Sequence, residues 1–263
     1  MNEEAKIMSE ILVVSAHAAD FCTRAGGTLS RYARSGANIT VLDLTFGERG
    51  ESGGYWAANP EGTIEECKAV RKREASAAAA CLGANIEFFD YNDYPLEMGV
   101  DRIRDLTKRI LQIRPNIILT HWLEDSFNQD HAVTSNAVIR AVSSSGMLGA
   151  LPNTPAHYVP DIFFFESTLP HSEFNNFRVD TYIDISDVFE QKMEAIKKFE
   201  CQPQLVNYYT HFGVHRGFQA SEWARRPIKQ AEGFKRYTPF VGTVFPLSER
   251  QVRLQSTPQT TFG

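Results

Sequence analysis

The residues able to do chemistry fall in a few short segments. His17 and Asp20 stand three apart directly after a short apolar run, and His131 follows Asp130 far downstream. Two imidazoles and a carboxylate are a donor set that zinc takes in enzymes, where three protein ligands leave one position open for water or substrate. The same set suits iron, cobalt or manganese, so it speaks for one divalent metal per chain before it speaks for Zn2+. Asp130, beside His131, is suited to orient the site as a hydrogen-bond acceptor. Read by itself, a histidine at a strand end is as readily a hydrogen-bonded structural residue as a ligand.

Such side chains need elements to carry them. Residues 11–16 read as a strand, 26–35 as the body of a helix closed by Gly36, and 39–44 as the next strand. Between 45 and 62 the composition turns to Gly, Glu, Ser and Pro, a loop long enough to be functional. An alanine-rich helix over 63–82 stops at Gly83. Strands at 86–89, 116–120, 161–166 and 181–185 alternate with helices at 100–113, 130–143 and 187–200. That alternation predicts an α/β fold with a mainly parallel sheet, in which ligands bind outside the carboxyl ends of the strands. The segments just past the strands hold His17, Asp20, Glu48, Asp90, His121, Asp125, Asp130 and His131. His121 ends its strand and is given no ligand role, and no motif supports His157, His171 or His211.

The chain has 263 residues, 43% hydrophobic and 22% charged, which excludes intrinsic disorder and suits one α/β domain over 1–263 with a loose tail after about residue 248. A net charge of -5 gives no global attraction to nucleic acid or an anionic membrane. No apolar stretch approaches the roughly 18 residues of a membrane span, and the acidic first ten residues do not read as a signal peptide. A cytoplasmic protein is therefore expected. Cys22, Cys67, Cys81 and Cys201 are scattered and read as buried thiols. Phe163–Phe165 with Tyr208 and Tyr209 read as core or subunit packing. Residues 223–234, carrying Arg225, Arg226 and Lys229, read as a solvated face or a contact in a homo-oligomer.

The segment from Val14 to Asp20, followed by Ala25-Gly26-Gly27-Thr28-Leu29, resembles the opening of the PIG-L (LmbE-like) family of zinc-dependent N-deacetylases, His-Pro-Asp-Asp before Gly-Gly-Thr. Thr45-Phe46-Gly47-Glu48 resembles its Thr-Asp-Gly-Glu loop, Arg71 to Glu74 with Leu82-Gly83 its Arg-x-x-Glu helix, and Asn128-Gln129-Asp130-His131 its His-Pro-Asp-His. Together these segments cover residues 11–202. The resemblance implies a Rossmann-like three-layer αβα architecture and zinc held by His17, Asp20 and His131, with Asp130 beside them.

Two departures matter. Where the family has its general base, this chain has Ala19, and Asn128 replaces the histidine that opens His-Pro-Asp-His. Both changes fall on deacetylation chemistry and spare the ligands. The sequence is also similar to the 4-oxalomesaconate hydratase branch of the family, through 13–20, 47–52, 163–166 and 213–220. That likeness implies addition of water across a carbon-carbon double bond of a small tricarboxylic acid. On that reading Glu48 is the base, His215 the partner acid or a second candidate base and Asp130 a helper, while Arg49, Arg71, Arg216 and Asn128 hold the substrate. Two rivals stand beside it: a deacetylase that recruits Glu48 or another carboxylate, and an inert binding protein built on the same scaffold.

Overall fold

A computed structural model describes residues 9–168 and 170–246. The loose tail expected after about residue 248 lies outside the described residues. The elements follow as β1 (Glu10–Ser15), α1 (Asp20–Arg34), β2 (Asn38–Asp43), α2 (Gly53–Ala58), α3 (Ile64–Leu82), β3 (Asn85–Phe88), α4 (Val100–Ile113) and β4 (Ile117–His121). The second half holds α5 (Gln129–Ser145), β5 (Asp161–Phe165), β6 (Thr181–Asp184), α6 (Phe189–Ile196), α7 (Gln204–Ala224) and β7 (Ala231–Arg236).

The inner strands are apolar at nearly every position because both faces are covered. Ile11, Val13, Ile39 and Val41 point to one side, where Phe21 and Leu29 of α1, Ala78 of α3 and Ile196 of α6 meet them. Leu12, Val14, Leu42 and Ile118 point to the other, against Ile103, Leu106 and Ile110 of α4 and Val138 of α5. Alternate residues of one strand thus build two separate cores, giving the three layers. The strand order is β3-β2-β1-β4-β5-β7-β6, parallel from β3 to β5. After β1 the chain builds outward through β2 and β3, and β4 then returns to the opposite flank of β1. Their carboxyl ends therefore border the crevice of a topological switch point, the expected seat of a ligand in such sheets. His17 follows β1, and His121 closes β4.

Local signals set the main helix ends. Thr63 and Glu66 form a capping box at the start of α3, and Gly83 closes it with a φ of 75°. Three features differ from expectation. Helix α1 begins at Asp20, six residues before the Gly26-Gly27 pair that reads as its start, because that pair sits inside the helix, where Glu232 accepts the N–H groups of Gly27 (2.9 Å) and Thr28 (2.7 Å). The long loop after β2 contains the short helix α2. Residues 223–234 are a solvated face only in their first half, where Trp223, Arg225 and Lys229 are exposed: 231–234 are buried in β7, which is antiparallel to both β5 and β6, and Arg226 pairs with Asp184 at 2.6 Å.

Candidate metal centre

The turn after β1 is tied to itself. The His17 N–H donates to Asp20 Oδ2 (2.8 Å), and the Asp20 N–H to the His17 carbonyl (3.2 Å), so one short segment aims an imidazole and a carboxylate into the same space. His17 Nδ1 lies 3.3 Å from Asp20 Oδ2 and 3.3 Å from Glu51 Oε1. His131, in the first turn of α5, brings its Nε2 to 3.6 Å from Asp20 Oδ1 and 3.9 Å from Glu51 Oε1. One ligand atom from each of His17, Asp20, Glu51 and His131 lies within 4.8 Å of the others.

Each imidazole is oriented from behind. Asp125 Oδ2 lies 2.8 Å from His131 Nδ1, and Asp130 Oδ2 lies 3.3 Å from His17 Nε2. A carboxylate at one ring nitrogen fixes the proton there and turns the lone pair of the other forward. The forward nitrogens, His17 Nδ1 and His131 Nε2, are buried and have no hydrogen-bond partner. Two orphaned lone pairs facing two carboxylates are what a divalent cation satisfies, so these residues fit a metal ion.

The field of the cluster agrees. Burial opposes charge on His17, yet Glu51, Asp130 and Asp20 outweigh it and hold the imidazole well above its ordinary range. Burial would raise Asp20, but His121 and His131 carry it well below the ordinary range. His121 is pushed down to about 3 by burial and by His131, on which it stacks at 4.1 Å. Its Nε2 accepts the Ala16 N–H at 3.0 Å. The site is a cation trap in which two carboxylates, Asp20 and Glu51, face two imidazoles that Asp130 and Asp125 hold from behind.

Glu51 comes from the loop after β2, and one glycine lets it in. Gly47 has a φ of +69°, and a Cβ there would lie 3.2 Å from both His17 Cβ and Glu51 Cβ. Only a residue without a side chain lets the loop pass this close to the β1 turn.

Residues 12–142 match the family model of PIG-L, GlcNAc-PI de-N-acetylase. A 4-oxalmesaconate hydratase of Pseudomonas putida is 37% identical over 234 residues, covering 88% of this chain and 90% of that one. The chain belongs to the PIG-L family. The crystal structure of GalB, the 4-carboxy-2-hydroxymuconate hydratase from Pseudomonas putida, superposes with a TM-score of 0.85 at 36% identity, over 91% of this chain and all of that one. A diacetylchitobiose deacetylase of Thermococcus kodakarensis is 26% identical over 86% of this chain and 85% of its own.

Against the PIG-L pattern, Ala19 is buried among apolar neighbours and offers no carboxylate. Asn128 caps α5 by accepting the Asp130 N–H (3.2 Å), and its Nδ2 donates to Glu51 Oε1 (3.1 Å). Glu48 is fully buried but outside the cluster. Its Oε1 accepts from Arg49 (2.9 Å), and burial together with neighbouring Asp93 raises its carboxyl. Arg49 is part-exposed on the same loop.

The other expected side chains are used elsewhere. Arg71 is completely buried and donates to the Phe46 carbonyl (3.1 Å), Glu74 (2.7 Å) and Gln202 (2.8 Å), so it braces the Glu51 loop instead of facing a ligand, and it is not a surface pair. Arg216 is buried on α7, forked onto both oxygens of Glu166 and bonded to Gln219. His215 is exposed on α7, with Phe212 as its ring neighbour. Glu51 and the orienting role of Asp125 are what sequence reasoning missed. Its one signal was a second glutamate three residues past Glu48 in a loop already marked as functional.

Proposed function

We propose that this protein is a metal-dependent hydratase that adds water across the carbon-carbon double bond of a small keto-tricarboxylate, 4-oxalomesaconate. One observation carries the reading: the carboxylate next to the metal donors is Glu51, delivered by the β2 loop, while the place of the amidase base is filled by Ala19. The likeness to the Pseudomonas putida hydratase supports the substrate.

In this reading His17, Asp20 and His131 would hold one zinc ion, and Glu51 stands beside them. When bound, the ion supplies a Lewis acid that draws charge out of a keto acid conjugated with the alkene. Glu51 has 16% of its side chain exposed against at most 4% for the other three, so it is the member that meets an incoming water. It accepts the water's proton, with Asn128 steadying Oε1. The reaction also needs a proton delivered to carbon. His171 is our choice in place of the exposed His215, because its ring stacks at 4.0 Å on Phe127, next to Asn128. Its segment is anchored where Thr168 donates to Asp125.

The test is the loss of the substrate's conjugated absorbance, followed with the purified protein before and after chelation and after zinc is restored. Loss and recovery of turnover are expected. Turnover that survives complete metal removal overturns the reading, and release of acetate from N-acetylglucosamine conjugates without hydration replaces it with deacetylation.

A further inference from the structure

Next to the metal cluster lies an open cleft of about 310 Å³, lined in part by Arg49, Asp93, Tyr94, Glu97 and Arg102. Ligand sites for small molecules begin at about that size. Cleft and cluster share two walls. Tyr94 stacks on the His17 ring at 5.8 Å and donates its N–H to Asp130 (2.9 Å). The 49–51 loop puts Arg49 in the cleft and Glu51, two residues on, in the cluster. These walls are pressed together at Gly50, where a Cβ would fall 1.9 Å from the Tyr94 ring. A molecule whose reacting carbons sit at Glu51 therefore has the cleft as its neighbouring space.

The two arginines there are not equivalent. Arg49 is spent on acids, with Nη1 at 2.9 Å from Glu48 and 3.4 Å from Asp93. Arg102 makes no ion pair among the described residues. Its guanidinium carbon lies over the Tyr91 ring, 4.1 Å from the centroid, and Nη1 donates to the Glu97 carbonyl (2.6 Å). The aromatic ring beneath it and a single carbonyl contact hold the guanidinium in place while leaving other N–H donors for a ligand, which is how an arginine is prepared for a carboxylate. Asp93 does not oppose this, because its oxygens already accept the N–H groups of Arg49 and Gly50. Glu97 is exposed at the rim.

We propose that this cleft seats the carboxylate of the substrate farthest from the reacting carbons, and that Arg102 is the residue that binds it. The proposal rests on the hydratase reading for the identity of the substrate, and it makes Arg102 the determinant of tricarboxylate over dicarboxylate acids.

The experiment compares wild type, Arg102→Ala, Arg102→Gln and Arg102→Lys as zinc-loaded proteins. KM for 4-oxalomesaconate is expected to rise on the order of 10- to 100-fold in Arg102→Ala and Arg102→Gln, with kcat changed by less than about threefold and partial recovery in Arg102→Lys. Calorimetric binding of tricarballylate, an unreactive tricarboxylate, should weaken in parallel, while binding of glutarate stays level. Arg102→Gln keeps a planar group over Tyr91, and circular dichroism checks each fold. Unchanged KM together with unchanged tricarballylate affinity in a folded Arg102→Gln protein overturns the assignment. If wild type fails to hydrate 4-oxalomesaconate yet tricarballylate binding still depends on Arg102, the cleft assignment stands and the hydratase reading falls.

Discussion

The turn after β1 and the helix α7 both carry histidine, yet only the turn delivers it to the crevice. At the turn, one backbone hydrogen bond and one from the His17 N–H to the Asp20 carboxylate tie four residues together, and the direction of their side chains is set by the end of a buried parallel strand. On α7 the side chains are distributed by packing. Ser221 exchanges hydrogen bonds with Ile228 at 2.8 and 3.1 Å, and Arg216 closes on Glu166, which ties the helix to the antiparallel edge of the sheet. His215, on the outer side of the same helix, is left in solvent. A strand end in this fold positions chemistry, whereas a long surface helix spends its polar side chains on the scaffold.

The sharpest way to break that contrast is at the crevice itself. Glu51→Gln keeps size and the contact from Asn128 but removes the proton acceptor, and kcat is expected to drop on the order of 10²- to 10⁴-fold with zinc content unchanged in elemental analysis. Retained turnover would strip Glu51 of its role. Asp125→Asn acts one layer further out. An amide facing His131 Nδ1 no longer fixes the proton there, so the lone pair at Nε2 is no longer guaranteed. Metal affinity, measured by competition with a chromophoric chelator, is expected to weaken roughly 10- to 100-fold. An unchanged affinity would mean that the backbone, not Asp125, orients His131.

The same contrast explains which parts of the molecule were legible from sequence. The strand-helix alternation and the parallel sheet were readable because period and spacing are local and the switch-point rule converts them into a place, and the family was readable through the resemblance of its motifs. His17, Asp20 and His131 could be named since each directly follows a strand or opens a helix after one. Glu51 could not be told from Glu48: which of two glutamates in one loop meets the histidines depends on Gly47, Arg71 and Asp93, contacts that reach across 25 and 44 residues. Arg71 and Arg216 read as substrate clamps because an arginine suits a buried carboxylate as well as a bound one. The mid-helix glycines hid the start of α1 for the same long-range reason, since the carboxylate that receives the N–H groups of Gly27 and Thr28 belongs to Glu232.

The smallest expected effects test Glu48 and His215 together. His215→Ala removes an exposed ring and should leave kcat and KM within about twofold, as surface substitutions away from a site usually do. Glu48→Gln should also retain turnover, because the carboxyl is directed at Arg49 and Asp93 and lies outside the metal donors. Its pH behaviour carries more information. Burial, then Asp93, raises the Glu48 carboxyl above its ordinary value, so the folded protein binds a proton there more readily than the unfolded chain. The resulting stability is present below the unfolded value of about 4.3 and is lost as pH rises through the folded one. Glutamine, neutral throughout, does not lose it. The midpoint of thermal unfolding of Glu48→Gln should therefore gain on wild type as pH rises from about 4.3 toward neutrality. Identical midpoints across that range would place the Glu48 carboxylate in an environment that tolerates its charge, and a large loss of kcat in the same variant would return it to the reaction.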